Sequence, residues 1–510
     1  MRIITNYFPS SNLLRRILVA TTSSLYLWSI LWIPTANAIT QVNDIETSDS
    51  SLPVLGDRVS GVVSPSMERQ LGTRWLRALR SQVTVIQDPL LNEYTNDLIR
   101  DIATFVESET LKTDLVIINN ASINAFAVPG GIVGIHAGLF LHAESESELA
   151  AVIAHELAHL TQRHFARSVE RMQQTQWTVL AAMLTGIALI AAGNDDSGLA
   201  ALATTQAASM DSQLRFSRQN EMEADRIGMH YLHEAQFDAT AMPRFFERMM
   251  RANQFSSSNR YEFLQTHPVT ENRIADSIAR AEQLYAPNPL KVQNSLDFRL
   301  MQARVRAGFM ETPAASLAYF KNQESKARTD EQKTVAQYGI VRALIAYRSL
   351  PEALKNVQQL RRVDPQRLTY VITEAEVLMA QKNYSAASTL LSEHLVLHPG
   401  SYPISIELAK SLIEQNKAVD TIDMLEALVR KNPRNPYIWE LLIQSYGQTN
   451  NTIDTYLAKA ELDFLYHRNE QAIQQLNYAL AKLDENQMIQ RSKIEARIKQ
   501  MNRENKELNF

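Results

Sequence analysis

The chain has 510 residues, of which 45% are hydrophobic and 21% are charged, and its formal net charge is −4. This length exceeds one ordinary hydrophobic core, so we expect two or three domains, and the normal apolar fraction excludes a wholly disordered protein. The near-neutral charge gives no support for nucleic acid as a partner. The sequence contains no cysteine, which excludes disulfides, thiolate metal ligands and a cysteine nucleophile.

Residues 1–38 have the pattern of an export signal. Arg2, Arg15 and Arg16 precede an apolar run over 17–33, and residues 36–38 (Ala-Asn-Ala) have the small-x-small form that signal peptidases cleave. The alternative is a retained membrane anchor, because the apolar run approaches the length that spans a bilayer. We expect a cleaved signal peptide, a flexible polar leader over 39–55 and a bacterial periplasmic protein.

The next part of the chain mixes helical and strand patterns. Apolar residues at three-to-four spacing predict helices over 66–107, and β-branched and glycine-rich runs predict strands over 114–119 and 125–140. Ser145 and Glu148 are spaced as a helix-starting capping box. Residues 177–192 are apolar all round but only sixteen residues long. They favour a buried or interfacial helical hairpin, with peripheral membrane contact as the alternative.

From about residue 290 the sequence predicts helix after helix. Pro365, Pro399 and Pro433 are 34 residues apart, and a small residue lies twelve positions before each of them: Ala353, Ala387 and Thr421. A 34-residue period with small residues where paired helices approach and a closing proline resembles the tetratricopeptide repeat. The consensus Trp and Gly of that repeat are missing, so an irregular array of helical hairpins is the alternative.

The sequence His155-Glu156-Leu157-Ala158-His159 is an HExxH motif. Residues four apart share one face of a helix, so both imidazoles can reach one metal ion while Glu156 contacts a bound water. A catalytic zinc site needs a third protein ligand. The extended motif with a third histidine is absent, because position 165 is phenylalanine and His164 lies one residue early.

A later acidic segment, Asn-Glu-Met-Glu-Ala-Asp over 220–225, supplies candidates for the remaining roles. Glu221 and Asp225 are four apart on one helical face, so Glu221 can bind the metal while Asp225 accepts a hydrogen bond from a ligand histidine. Glu223 points elsewhere on helical geometry. Alone, the segment would indicate an acidic, solvated first turn; beside an HExxH motif, the ligand interpretation is favoured.

These blocks, together with Asn124–Gly131 upstream and Thr266-His267-Pro268 downstream, resemble the M48 family of zinc metallopeptidases. The resemblance implies an α+β fold: a mostly helical zincin-type metallopeptidase domain with a small sheet over 56–285, followed by an all-α tetratricopeptide-like repeat domain over 290–510. It implies one zinc ion per subunit, bound by His155, His159 and Glu221, with Glu156 as general base.

The resemblance also implies a strand that binds an extended substrate through main-chain hydrogen bonds. Its residues are Asn124, Ala125, Phe126, Ala127 and Val128. His267 has three interpretations: an oxyanion stabiliser, a fourth zinc ligand that keeps the enzyme closed, or a solvent-exposed loop residue. The other histidines have no motif support and are interpreted as structural: His136, His142, His164, His230 and His233.

Two functional hypotheses follow. The first, implied by the resemblance to periplasmic members that carry such repeats, is a zinc endopeptidase with a chaperone-like role in outer-membrane β-barrel assembly. Its substrates would be unfolded or stalled outer-membrane proteins, and its repeats would bind the outer-membrane assembly machinery. The second is a non-proteolytic repeat scaffold or chaperone whose metal site is latent or silent.

Overall fold

A computed structural model describes residues 63–106, 112–171, 210–254, 262–284 and 295–506. The predicted signal peptide (1–38), the leader (39–55) and the apolar segment 177–192 lie outside the described residues. Within the described ranges, no helix is both long enough and apolar enough to cross a membrane.

Two helices precede a three-stranded sheet. Helices α1 (Pro65–Arg80) and α2 (Pro89–Ala103) each begin with proline, which has no N–H to leave unsatisfied in the first turn, and each has a side-chain N-cap. Strand β1 (Asp114–Ile118) pairs in parallel with β3 (Ile132–His136), and β2 (Ala125–Val128) pairs with β3 in antiparallel fashion. The order β1-β3-β2 places β2 at one side of the described sheet.

The single strand predicted over 125–140 is wrong. Gly130 and Gly131 have φ of +87° and +88° and form the turn between β2 and β3. A side chain at Gly131 would also lie 2.0 Å from the carbonyl oxygen of Lys112, so both the backbone conformation and the close approach require glycine. The chain after β3 forms helix α3 (Ala137–His142).

The HExxH segment lies in α4 (Glu146–Thr161), which is buried on every side from Glu146 to Ala158. As predicted, Ser145 is the N-cap and accepts a hydrogen bond from the Glu148 N–H at 3.2 Å. Helix α4 packs against α2, β2 and the later helices α6 and α7. The remaining helices of this part are α5 (His164–Arg171), α6 (Met210–Glu234), α7 (Ala241–Gln254), α8 (Phe263–Thr266) and α9 (Glu271–Gln283).

From residue 296 the described chain is entirely helical, as the sequence predicts. Ala353, Ala387 and Thr421 are fully buried, and each of the three periodic prolines lies two residues beyond the end of a helix. The helices are α10 (Leu296–Phe309), α11 (Pro313–Lys326), α12 (Asp330–Ala346), α13 (Leu350–Val363), α14 (Leu368–Ala380), α15 (Tyr384–Leu397), α16 (Tyr402–Glu414), α17 (Val419–Lys431), α18 (Pro436–Gln448), α19 (Thr452–Leu465), α20 (Asn469–Ala481) and α21 (Met488–Lys506).

The described residues belong to one compact unit. A single hydrophobic cluster extends from Leu90 in α2, through the buried helix α4, to Leu408 in α16. A buried ion pair also joins the helical array to the part of the chain before it. The guanidinium of Arg304 in α10 lies 2.5 Å from the carboxylate of Asp88, the N-cap of α2. The helical array therefore packs directly on the part of the chain that contains the HExxH helix.

Candidate metal centre

Helix α4 carries His155, Glu156 and His159 in its C-terminal half. His155 and Glu156 are 0% and 1% exposed, and His159 is half-buried. The Nε2 atoms of the two histidines lie 3.1 Å apart, as the four-residue spacing on a helix predicts. One face of α4 thus presents two imidazole nitrogens to the same point.

Helix α6 supplies the acidic residue. The Glu221 carboxylate lies 3.4 Å from His155 Nε2 and 3.4 Å from His159 Nε2. Helices α4 and α6 approach closely at Gly228, where an added Cβ would be 3.0 Å from the backbone nitrogen of His155. This close packing brings Glu221 next to the two histidines, although about sixty residues separate them in sequence.

Asp225 lies one turn after Glu221 and faces the other nitrogen of His155. Its Oδ1 is 3.0 Å from His155 Nδ1, which is where the sequence analysis places it. The guanidinium of Arg273 in α9 donates to both oxygens of Asp225, at 2.7 and 2.8 Å, and lies 3.1 Å from Glu221 Oε2. Arg273 therefore fixes two carboxylates of the site, and no sequence motif indicated it.

His267 follows the short helix α8 and reaches the same point. Its Nδ1 lies 3.1 Å from Glu221 Oε2 and 3.3 Å from His155 Nε2, and its ring stacks on Phe263 with a centroid distance of 4.7 Å. The interpretation as a solvent-exposed loop residue is wrong, because His267 is only 8% exposed. The segment is also joined to the start of β2, since the Phe263 N–H donates to the Ile123 carbonyl at 3.0 Å.

The four side chains His155, His159, Glu221 and His267 each offer one ligand atom, and these atoms lie within 4.8 Å of one another. Three imidazoles and a carboxylate are donors that suit a divalent transition metal. The Glu156 carboxylate is buried beside this set, 3.3 Å from His267 Nε2, and among the described residues neither of its oxygens has a hydrogen-bond partner of good geometry. The residues present fit a bound metal ion with an acid–base group beside it.

Burial and charge shift the pKa values of the cluster in opposite directions. Burial lowers the pKa of His159 well below its usual value. Burial would also lower the pKa of His155, but the carboxylates of Asp225 and Glu221 raise it to about 9. Burial would raise the pKa of Glu221, yet His267 and His159 hold it well below the usual range. The metal-free cluster therefore holds an ionised carboxylate among imidazoles.

Strand β2 lies against this cluster. Burial raises the pKa of Glu156, and the backbone N–H of Ala127 is among the groups that oppose the rise, so the middle of β2 is next to Glu156. Asn124, just before β2, is 2% exposed and donates to Glu262 at 3.4 Å. Among the described strands, β2 pairs only with β3.

Sequence reasoning gave no role to His164, which the structure places against His159. The two Nδ1 atoms lie 2.9 Å apart, and His164 Nε2 lies 3.2 Å from Glu223 Oε2. The prediction that Glu223 points away from the metal ligands agrees with this position. The only sequence signal for His164 was its place one residue before the third-histidine position of the extended motif.

Comparison with known proteins identifies the family of the chain. The sequence profile of Peptidase family M48 matches residues 89–280, and that of the tetratricopeptide repeat matches residues 378–444. The putative beta-barrel assembly-enhancing protease of Vibrio cholerae is 34% identical over 92% of this chain and 94% of its own length. The chain belongs to the beta-barrel assembly-enhancing protease family of M48 peptidases.

Other relatives agree with this assignment. The beta-barrel assembly-enhancing protease of Escherichia coli K12 is 32% identical over 89% of this chain and 92% of its own length. The mitochondrial metalloendopeptidase OMA1 of Schizosaccharomyces pombe is 33% identical over 36% of this chain and 50% of its own length. The protein is a metalloendopeptidase, and both the α+β peptidase part and the tetratricopeptide array predicted from sequence are confirmed.

Proposed function

We propose that the protein is a zinc endopeptidase in which His155, His159 and Glu221 bind one zinc ion per chain. The observation that supports this proposal is the convergence of three ligand atoms from two packed helices beside the buried Glu156 carboxylate. Two neutral imidazoles and one carboxylate are a common ligand set of catalytic zinc, which keeps one position open. When bound, zinc would acidify a water molecule and polarise the scissile carbonyl.

Glu156 is the proposed general base. Its carboxylate lies next to the ligand cluster, on the same helix as two of the proposed ligands, and the backbone of Ala127 in β2 lies beside it. From this position it takes a proton from the attacking water and later delivers it to the leaving amine. Asp225, whose Oδ1 lies 3.0 Å from His155 Nδ1, is the proposed group that sets the orientation and tautomer of His155.

We further propose that an extended substrate pairs with β2 as an additional strand. The supporting observation is that one side of β2 has no partner among the described strands, while Ala127 in its middle lies next to Glu156. Pairing through main-chain groups selects for extended, unfolded chain rather than for particular side chains. That selectivity suits unfolded or stalled outer-membrane proteins as substrates, and the relatives' name, beta-barrel assembly-enhancing protease, is in keeping with such substrates.

His267 is proposed as the fourth ligand, which closes the centre in the form described here. Its Nδ1 lies as close to Glu221 as the two HExxH nitrogens do. A closed four-ligand centre leaves no position for water or substrate, so activity requires His267 to leave. The variant His267→Ala is therefore expected to cleave an unfolded substrate faster than the wild type. A loss of activity would instead favour the role of oxyanion stabiliser.

The proposed setting is the bacterial periplasm, where the enzyme promotes β-barrel assembly and degrades misassembled outer-membrane proteins. The export pattern at residues 1–38 supports the periplasmic location, and the relatives' name, beta-barrel assembly-enhancing protease, supports the role in β-barrel assembly. The tetratricopeptide array would bind the assembly machinery, because stacked helix pairs form extended protein-binding surfaces. The domain boundaries 56–285 and 290–510 belong to the same proposal. For residues 177–192 we propose a buried or interfacial helical hairpin, with peripheral membrane contact as the alternative.

The variant Glu156→Gln tests the function. It keeps the shape of the side chain and removes the base, so we expect cleavage of unfolded β-barrel protein and of casein to be abolished while the zinc content per chain stays at one. Undiminished cleavage by this variant would exclude Glu156 as the base. If the wild type binds zinc but cleaves neither substrate and still assists β-barrel assembly, the non-proteolytic scaffold hypothesis is favoured.

A further inference from the structure

A chain of three side chains extends from the outer nitrogen of His159 to the protein surface. His164 Nδ1 lies 2.9 Å from His159 Nδ1, and His164 Nε2 lies 3.2 Å from Glu223 Oε2. The same carboxylate oxygen accepts a hydrogen bond from Arg167 at 2.9 Å. His164 is 4% exposed, whereas the Glu223 and Arg167 side chains are each 36% exposed.

The backbone between α4 and α5 is shaped to bring His164 into this position. Arg163 has φ of +48°, a left-handed backbone conformation that residues other than glycine rarely adopt. Its side chain is held by the Val63 carbonyl at 2.7 Å and by Glu68 at 3.2 Å. The turn ends α4 two residues after His159 and starts α5 at His164, so the chain folds back on the ligand.

Metal binding determines which nitrogen atoms of His159 and His164 carry the protons. A neutral imidazole that binds a metal through Nε2 keeps its only proton on Nδ1. The Nδ1–H of His159 then donates to His164 Nδ1, so the proton of His164 is on Nε2 and is donated to Glu223. In this arrangement each N–H of His159 and His164 that faces a neighbour has an acceptor. The Arg167 guanidinium holds the Glu223 carboxylate in position to accept.

The two HExxH histidines are therefore supported differently. His155 faces the carboxylate of Asp225 directly, at 3.0 Å, and Asp225 is fixed by Arg273. His159 reaches a carboxylate only through a second imidazole. We propose that His164, held by Glu223, is the positioning residue that sets the tautomer and orientation of His159 for zinc. This inference rests on the proposed zinc site and assigns an orienting partner to the ligand that lacked one.

Zinc affinity of the metal-stripped full chain tests the proposal. Loss of an orienting partner weakens metal binding by about 10–100-fold, so His164→Leu should raise the zinc Kd by that factor in competition with a chromophoric chelator. His164→Asn places an acceptor oxygen near the Nδ1 position and should restore most of the affinity. Asp225→Asn, at the partner of the other histidine, should weaken binding similarly, and exposed His230→Leu should leave it unchanged.

A second readout separates orientation from packing. With Co²⁺ in place of zinc, the visible absorption bands of His164→Leu should differ from those of the wild type, and those of His164→Asn should match it. Equal zinc affinity in His164→Leu and the wild type, or equal losses in the Leu and Asn variants, would overturn the proposal. Should His164→Leu not fold, Glu223→Ala keeps the ring, and an unchanged zinc Kd in that variant would overturn it too.

Failure of this inference is distinguishable from failure of the proposed function. If the wild-type chain itself binds no zinc, the metal centre is wrong. If the wild type binds one zinc ion and His164→Leu binds it equally well, only the role of His164 is wrong.

Discussion

Replacing Arg273 with leucine removes a buried cation from the centre of the site. The guanidinium donates to both oxygens of Asp225 at 2.7 and 2.8 Å and to the Pro268 carbonyl at 2.7 Å, and it lies 3.1 Å from Glu221. The Arg273 side chain is only 3% exposed, so water cannot replace the hydrogen bonds that it makes. In the Leu variant, Asp225 is left as a buried carboxylate that faces only His155.

The expected cost follows from burial. Removing one partner of a buried, hydrogen-bonded ion pair destabilises a protein by about 3–5 kcal/mol, because the remaining charge stays buried without compensation. Arg226 provides a matched control on the neighbouring helix, since it pairs with Asp276 at 3.2 Å but its side chain is 43% exposed. Exposed pairs contribute about 0–1 kcal/mol, so Arg226→Leu should change the free energy of unfolding only slightly.

Urea denaturation of the metal-free proteins measures both effects. We expect the midpoint of Arg273→Leu to fall with an unchanged m-value, which identifies a change in stability rather than in the denatured state. The double variant Arg273→Leu with Asp225→Asn should be less destabilised than the sum of the two single variants, because the uncompensated charge is then absent. The Arg273→Leu variant should also bind zinc more weakly, since Asp225 loses its fixed orientation.

Two outcomes would refute this reasoning. If Arg273→Leu and Arg226→Leu destabilise the protein by the same amount, within about 1 kcal/mol of the wild type, the guanidinium does not compensate the buried carboxylates. Additive effects of Arg273→Leu and Asp225→Asn would lead to the same conclusion, because residues that share an ion pair are expected to be coupled.

Three further predictions concern stability. Burial lowers the pKa of His136 to about 4, so the unfolded chain binds the proton first and about 3 kcal/mol of stability is lost as pH falls from 6.5 towards 4. Urea titrations at pH 7.5 and 5 should show about 2 kcal/mol of this loss, and His136→Gln should reduce it. Gly134→Ala places a Cβ 2.1 Å from the Phe126 ring and should lower the urea-derived stability by about 1–3 kcal/mol. Arg77→Leu leaves the Glu504 carboxylate, 3.0 Å away, without its cation and should lower the thermal midpoint.

The residues of the site that sequence analysis predicted are those related by local helical geometry. His155 and His159 are one turn apart on α4, and Glu221 and Asp225 are one turn apart on α6, so their shared faces follow from the helical period alone. The two pairs come together only because α4 packs on α6. Helical spacing does not predict that packing, but the resemblance to a known family indicates that both pairs belong to one site. The structure then places the four residues within contact distance.

The residues that sequence analysis missed depend on contacts between distant segments. The sequence around Arg273 indicates only an amphipathic helix. Its contact with Asp225 depends on the packing of α9 beside α6. His164 reaches His159 only because Arg163 adopts a left-handed backbone conformation, which residue type does not indicate. The interpretations of His267 remained open for the same reason, since its burial depends on α8 being held at the start of β2.

The fold shows the same division between local and distant information. The 34-residue proline period indicates the ends of three array helices correctly, because proline breaks a helix interior and disfavours helical conformation in the residue before it. The sequence pattern predicts a strand across the glycines after β2, but their positive φ makes them a turn. Apolar residues lie on both sides of this turn, so the hydrophobic pattern alone does not separate β2 from β3.

Buried charges make the peptidase part and the helical array depend on each other. The Arg304 side chain is 4% exposed because α2 and the array cover it together, and it pairs with both Asp88 and Glu376. The Arg77 side chain is 1% exposed because array residues surround it. Separating the peptidase part from the array would leave Arg304 and Arg77 without these partners. Hydration of the freed charges would then have to offset the loss of the ion pairs and the exposure of the shared hydrophobic cluster. Helices α2 and α4 pack together in that cluster, so the array shares its hydrophobic core with the helix that carries the proposed metal ligands.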